Sequence, residues 1–423
     1  MCEMKDSGIE WVGNIPATWK SIQIKNLFTI LSGATPTPDT DNWDGDVIWI
    51  TPADYKTKDK YVSGGKRNIS QQGFSACSTS IIPKGNIIFS KRAPIGTVAI
   101  NTVDLCTNQG CLSCVSKSNT CNDFFYYVMS VGTEHFELLG SGTTFKEISA
   151  NSFSNCKLPC PDKAEQEKIA KFLDEKCAEF NVLISDLRSQ IETLEEYKKS
   201  LVFRVVSKGI KKTVLKATTS DVWTIIPENW RLIDIKYIFE IVKRIAGQEG
   251  FDVLSVTQKG LKIKDIESNN GQQAESYAGY QFVYPTDYVM NHMDLLTGWV
   301  DCSTMFGVTS PDYRVFRLRD KENNNLTYFK YLMQCCYMSR IFYSLGQGVS
   351  NLGRWRLQTS AFNNFMIPVP PLEEQCEIAG YLDTKISEID TIIADKQKQI
   401  ETIEEYKKSL IFEYVTGKKE VQA

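Results

Sequence analysis

The chain has 423 residues, of which 42% are hydrophobic and 23% charged, with a net charge of −3 and thirteen cysteines. That length holds two to three domains, and the composition is that of an ordinary globular protein, not of a disordered or low-complexity one. The small acidic excess excludes a body coated in positive charge for non-specific nucleic-acid binding, but leaves room for basic loops on an acidic frame.

In chain order, residues 1–161 read as a first domain. MCEMKDSG at the start lacks the basic segment and apolar core of a secretory leader. No apolar run reaches the length of a membrane span. The odd cysteine count without framework spacing fits a reducing cytosol, so a cytoplasmic location is expected. Residues 15–30, IPATWKSIQIKNLFTI, form a Pro-x-x-Trp segment leading into a short strand or helix, with Trp19 as a packing anchor. Short β-like runs follow at 47–50, 80–90 and 97–103, punctuated by Gly and Pro. FFYYVMS (124–130) reads as a short buried helix. A Gly-rich loop, GSGTTFKEISANSF (140–153), leads to the stop KLPCP (157–161).

Residues 162–206 read as a long helix, 207–222 as a polar, lysine-bearing linker, and 223–371 as a second domain on the same plan. IPENWRLIDIKYIFEI (226–241) repeats the opening, YFKYLMQ (328–334) the buried helix, and GQGVSNLGRWRLQTSAF (346–362) the Gly-rich loop. Residues 372–416 form a second long helix and 417–423 a tail. Between these landmarks the two middles do not align by eye.

The repeat is plainest at the ends of the helices. Residues 190–201, QIETLEEYKKSL, and 399–410, QIETIEEYKKSL, agree at eleven of twelve positions, at an offset of 209 residues (399 minus 190). Ala170, Cys177, Ile184, Ile191, Lys198 and Val205 recur every seventh residue, with Leu173, Phe180, Leu187, Leu194 and Leu201 as a second row. The other copy repeats both rows: Ala379, Ile386, Ile393, Ile400, Lys407 and Tyr414, then Leu382, Ile389, Lys396, Ile403 and Leu410. These are coiled-coil seams. The expected fold is α+β: two globular mixed α/β domains separated by an antiparallel two-helix coiled coil, with an internal pseudo-two-fold repeat. About 39 helical residues at ~1.5 Å each make a spacer of roughly 58 Å.

The chemistry-bearing residues are few. There is no NPPY-like tetrad for a flipped adenine and no GxGxxG or P-loop for a nucleotide. Two histidines, His135 and His292, nearly exclude histidine-rich metal sites and Ser/His triads. Cys106, Cys111, Cys114 and Cys121 have the spacing of an iron–sulfur loop, but on a strand Cys111 and Cys114 face opposite ways, so buried free thiols are the expectation and no metal is assigned. Asp162, Asp174, Glu175 and Lys176 loosely follow a nuclease pattern, with solvated helix charge as the ordinary explanation. DNA contact calls for Lys, Arg or backbone N–H groups on phosphates, and Arg, Lys, Asn or Gln on base edges. The candidates are Lys91, Arg92, Thr143, Thr144 and Lys146 in the first half, and Asn291, His292, Ser350, Asn351, Arg354 and Arg356 in the second. Trp355 reads equally as core or as a groove wedge. A surface repeated on both helices, Glu196, Tyr197, Lys199 and Glu405, Tyr406, Lys408, suits two copies of one partner.

These residues resemble the DNA-specificity subunit of type I restriction–modification systems, along the whole chain. The resemblance is carried by IPATW/IPENW, FSKRAPIGTVAI (89–100), GTTFKEIS (142–149) and the helix entry Pro161, Glu165, Gln166, Ile169, Ala170, which returns as Pro370, Glu374, Gln375, Ile378, Ala379. It implies a noncatalytic subunit whose two domains each read one half of an asymmetric bipartite site in double-stranded DNA. It also implies two methyltransferase subunits as partners, with restriction subunits joined through them. S-adenosylmethionine, ATP and Mg would sit on those partners and none on this chain. A noncatalytic coiled-coil scaffold whose end domains bind proteins is the alternative.

Overall fold

The computed structural model describes residues 3–56, 59–142, 146–266, 274–348 and 355–422. It divides into two compact units, Met1–Leu187 with Lys398–Ala423, and Arg188–Gln397. Both long helices, Lys163–Lys208 and Leu372–Val415, therefore contribute a segment to each unit.

In the first unit the opening segment forms a strand, Lys20–Gln23, followed by one helical turn, Ile24–Leu27. The strand pairs antiparallel with Lys157–Cys160, the Pro-rich stop. Opening and stop are thus neighbours, and the stop feeds straight into the long helix. A five-stranded sheet fills the middle, in the order Phe28–Ser32, Cys111–Ser116, Ile87–Ser90, Val98–Asn101, Tyr61–Val62. The apolar run 80–90 is not one strand: Pro83 and Gly85 break it, only Ile87–Ser90 joins the sheet, and Ile82 makes an isolated bridge to Leu105. Helix Asn122–Val131 buries Phe124, Phe125, Tyr126, Tyr127, Val128 and Met129.

The second unit has the same logic. Arg231–Asp234 pairs with Met366–Val369. A four-stranded antiparallel sheet runs Phe239–Val242, Arg314–Leu318, Tyr288–Met290, Val300–Cys302. The first four strands of the other sheet stand in the same order, although the sequences between the landmarks show no likeness. Helix Leu326–Met338 replaces Asn122–Val131. The stretch expected as a linker, 207–222, carries a strand, Leu215–Ala217, paired with Ile225–Pro227. Met4–Asp6 pairs with Asn14–Pro16 in the same way in the first unit. The linker is therefore the opening strand of the second unit.

The helix ends are core, not appendages. Ile169, Ala170, Leu173, Leu410, Ile411 and Val415 lie in one apolar cluster with Trp19. Leu201, Val202, Val205, Val206, Ile378 and Leu382 lie in another with Trp230. Every seam position is buried or half-buried. In the first unit Phe172 meets Tyr414 at 4.6 Å and Phe180 meets Tyr406 at 5.6 Å between ring centroids. In the second, Lys396 reaches Gln190 and Lys198 reaches Asp390, both at 2.6 Å. Within each unit the contact number rises on one helix as it falls on the other, so the segments are antiparallel. The seam lysine Lys407 donates to Asn181 at 2.8 Å. Adding 209 to Asn181 gives Asp390, so Lys407–Asn181 and Lys198–Asp390 are the same contact in its two copies.

The repeated helix entry also has a physical role. The indole N–H of Trp19 donates to Glu165 at 3.0 Å, and that of Trp230 to Glu374 at 2.9 Å. Gln166 accepts from Cys121 N–H and donates to the Pro161 carbonyl, both at 2.9 Å. Gln375 does the same with Asn325 N–H at 2.8 Å and the Pro370 carbonyl at 2.9 Å. Both tryptophans are almost wholly buried, as an anchor should be.

Candidate nucleic-acid interface

Two loops come together at one edge of the first unit. Strand Ile87–Ser90 runs out into Lys91 and Arg92 and turns back through Pro94 to Val98–Asn101. The buried Ser90 hydroxyl lies 2.9 Å from the Arg92 carbonyl and 2.7 Å from that of Pro94, so its one proton is shared between them and fixes the turn. Ser141 and Glu147 exchange backbone hydrogen bonds at 3.0 Å across the base of the Gly-rich loop, and Ile148 N–H donates to the Lys91 carbonyl at 3.0 Å. The Glu147 carboxylate lies 2.8 Å from Lys91 Nζ and 3.6 Å from Arg92. Lys146 is exposed beside it. Thr143 and Thr144 lie outside the described residues.

The second unit brings the matching loops together. Beyond strand Tyr288–Met290, the Asn291 side chain accepts from Met293 N–H at 3.3 Å, and Tyr337 OH donates to the Asn291 carbonyl at 2.8 Å. Gly298 donates to the Asp294 carbonyl, and a Cβ there would lie 2.0 Å from that oxygen, so only glycine fits. Gln347 and Arg356 exchange backbone hydrogen bonds at 3.0 and 3.2 Å, and Leu357 N–H donates to the His292 carbonyl at 2.9 Å. Arg356 is exposed. Trp355 is half-buried against Tyr343, with ring centroids 5.0 Å apart, and packs on the core. Ser350, Asn351 and Arg354 lie outside the described residues.

Beneath these loops is a residue that pattern reading missed. Arg314 is 4% exposed. Its guanidinium donates to the Leu357 carbonyl at 3.0 Å and to Thr359 Oγ1 at 3.3 Å, and stacks over Phe362. Burial pushes its pKa down to about 10, which leaves it charged at neutral pH. The available signal was an arginine at a core-facing register of the apolar run RVFRL. Burial, together with Arg314 and Arg356, pushes His292 down to about 4, so its imidazole is neutral near pH 7. Its Nδ1 is buried and has no hydrogen-bond partner among the described residues.

The other motifs find structural explanations. Asp174 accepts from Tyr127 OH at 2.6 Å and pairs with Lys60, and Asp383 accepts from Tyr331 OH at 2.6 Å. The loose nuclease pattern is thus a docking contact between helix and domain. Cys111 and Cys114 sit in two different apolar clusters on opposite faces of their strand, and burial raises Cys111 to about 12. No cluster of three metal-ligating side chains occurs among the described residues. On the helices, Tyr197 and Tyr406 are each 54% exposed, and Glu196, Glu405 and Lys408 face solvent, with Lys199 half-exposed and paired to Glu196 at 2.7 Å. Among the described residues no helix is long and apolar enough to cross a membrane.

Two mixed domains of one strand order, each clasped to long antiparallel helices, define a duplicated recognition protein. The type I restriction modification DNA specificity domain matches residues 16–193 and 227–402, well over half of the sequence, and the chain belongs to that family. Its curated relatives include the type I restriction enzyme MjaIX specificity subunit of Methanocaldococcus jannaschii, 36% identical over 44% of this chain and 43% of that one. The MjaVIII specificity subunit of the same organism is 25% identical over 70% of this chain and 69% of its own length. A solved chain from a type I R-M system, described for its complex assembly and conformational transition, superposes with a TM-score of 0.69 at 14% identity, over 95% of this chain and 99% of that one. The HsdS subunit from Thermoanaerobacter tengcongensis superposes at 0.50 and 13% identity, over 95% and 98%. These likenesses show the fold.

Proposed function

We propose that this specificity subunit reads an asymmetric, bipartite site in double-stranded DNA, one half with the loops of each unit, and that the shared helices fix the interval between halves. The carrying observation is that both units hold a pair of loops by the same backbone hydrogen bonds while presenting different side chains. A stitched frame with exchangeable tips is what base-edge readout needs. Two unlike tips call for two unlike half-sites. The chain itself is noncatalytic and holds no cofactor. S-adenosylmethionine is bound by two methyltransferase subunits, and ATP and Mg by restriction subunits joined through them.

The methyltransferases dock on the repeated helix face around Glu196, Tyr197 and Lys199, and around Glu405, Tyr406 and Lys408. Equal exposure of the two tyrosines supports equivalent docking sites. Lys199→Glu with Lys408→Glu abolishes co-purification of the methyltransferase, and either change alone leaves one copy bound. Full stoichiometry in the double variant removes this face from the account. Methylome sequencing of the source cells tests the reading as a whole: it should return adenine methylation at two unlike half-sites a fixed interval apart, and a palindromic or undivided motif would contradict it.

A further inference from the structure

The two loop pairs share a frame and differ in charge at one position. Ile148 donates to the Lys91 carbonyl in the first unit, and Leu357 to the His292 carbonyl in the second. The preceding residues are Glu147 and Arg356, which the repeat offset also equates (147 plus 209 is 356). Each exchanges backbone hydrogen bonds with the start of its own loop, Ser141 or Gln347. Strand register extends the match. Phe89 faces Leu112 across the first sheet, and Met290 faces Arg314 across the second. So Lys91 corresponds to His292, Glu147 to Arg356, and Leu112 to Arg314.

The electrostatic consequence is large. In the first unit one carboxylate sits against both cations, and Lys91 keeps only 15% of its side-chain surface, against 36% for Arg92. A DNA phosphate approaching Arg92 would have to compete with Glu147, 3.6 Å from that guanidinium. In the second unit the same position is itself a cation, exposed, with a second guanidinium beneath it and a neutral imidazole beside it.

We propose that Glu147 is a resident counterion that withholds Lys91 and Arg92 from DNA phosphates, so that the second unit, with Arg356 at the same position, supplies the larger share of the electrostatic grip. This rests on the DNA-reading function proposed above. The first unit then contributes Lys146 as the exposed cation of this loop pair, and binding is anchored more strongly from the second half-site.

The test is the salt dependence of binding by the full chain in complex with its methyltransferase, on a duplex of about 40 bp carrying the methylome-defined site, between about 50 and 300 mM salt. Each phosphate contact adds ~0.9 to the slope of log affinity against log salt. Glu147→Gln keeps the shape and removes the charge; it should steepen the slope by about 1 and raise low-salt affinity severalfold. Arg356→Glu transplants the counterion and should flatten the slope by about 1 to 2. An unchanged slope in E147Q at an unchanged melting temperature overturns the proposal. Should E147Q unfold the first unit, the decision passes to R356E, and failure to flatten overturns it equally. A scrambled duplex separates the two levels. Loss of sequence preference with the slope differences intact defeats the DNA-reading function alone, whereas variant slopes equal to the wild type's on both duplexes, with sequence preference kept, defeat the counterion alone.

Discussion

The clasp between Trp230 and Glu374 can be tested by a double-mutant cycle. The indole is fully buried, and its N–H donates to a carboxylate at 2.9 Å. Glu374→Ala leaves that donor buried and unpaired, a cost of about 1–3 kcal/mol. Trp230→Phe removes the donor and strands the carboxylate with Asn229, 3.3 Å away, as its remaining side-chain partner on this segment; the cost is again about 1–3 kcal/mol. Both changes remove the indole–carboxylate hydrogen bond, and Trp230→Phe also loses buried ring volume, so the double variant should cost less than the two singles summed, with a coupling energy of about 1–2 kcal/mol. For a unit of this size ~1 kcal/mol moves the midpoint by about 2–4 °C, so scanning calorimetry of the full chain should show the second unit melting several degrees early in both singles. Costs that add to within ~0.5 kcal/mol would refute the clasp and leave Trp230 as apolar filling only.

Three further outcomes follow from the same geometry. Gly209 and Gly417 end the two long helices in the left-handed region, at φ of +72 and +70°, where an alanine costs about 1–2 kcal/mol. A Cβ at Gly417 would lie 2.3 Å from the rigid ring of Pro16, but at Gly209 it meets only the movable end of Glu374 at 2.8 Å, so Gly417→Ala should be the more damaging in thermal melts. His292 is held neutral in the fold, with a pKa near 4, while the unfolded chain takes up its proton near ~6.5. Between those values the unfolded state binds more protons, so stability falls as pH falls through that window. The loss should be about 2 kcal/mol after discounting for partial solvent contact, and urea titrations at pH 7 and 4.5 should show it smaller in His292→Gln. Lys198→Leu should raise stability slightly, by up to ~1 kcal/mol, because the half-exposed Lys198–Asp390 pair is worth less than an aliphatic seam residue.

What was legible in the sequence was whatever obeys a period or recurs at a fixed offset. The heptad rows fell on the buried faces of both helices because a narrow apolar stripe must be covered wherever it lies. Trp19 and Trp230 read as anchors because a bulky indole that recurs at the same place in both halves has to be covered. The middles were illegible for a reason that Arg314 and Leu112 illustrate. They occupy one register of one strand order, yet one is a guanidinium satisfied by the Leu357 carbonyl and Thr359, the other an apolar core residue. Strand pairing is satisfied by backbone groups, so the sheet persists while side chains exchange freely, and side-chain pattern is all that a sequence shows. The strand within the expected linker was hidden likewise: Leu215–Ala217 lies on the surface, paired through its backbone with Ile225–Pro227.

The same reasoning explains why the ends of the repeat are nearly identical and the middles are not. A residue in the helix entry answers to several partners at once. Glu165 must accept from Trp19, and Gln166 must join Cys121 to Pro161. Glu374 and Gln375 face the same obligations in the second unit. Changing any of them strands a buried polar group. The backbone frame beneath the loops is held differently: the hydrogen bonds from Ile148 to Lys91 and from Leu357 to His292 run between backbone atoms that any side chain leaves in place. Glu147 and Arg356 could therefore part in charge without disturbing the frame that carries them. On the proposed function, a subunit built this way could change what it reads while keeping how it is held, and chimaeras cut at Pro161 or Pro370 should fold with the melting behaviour of their parents. A chimaera that joins one protein's recognition domain to another's helices and melts more than about 10 °C below both parents would show that the tips and the clasp are coupled after all.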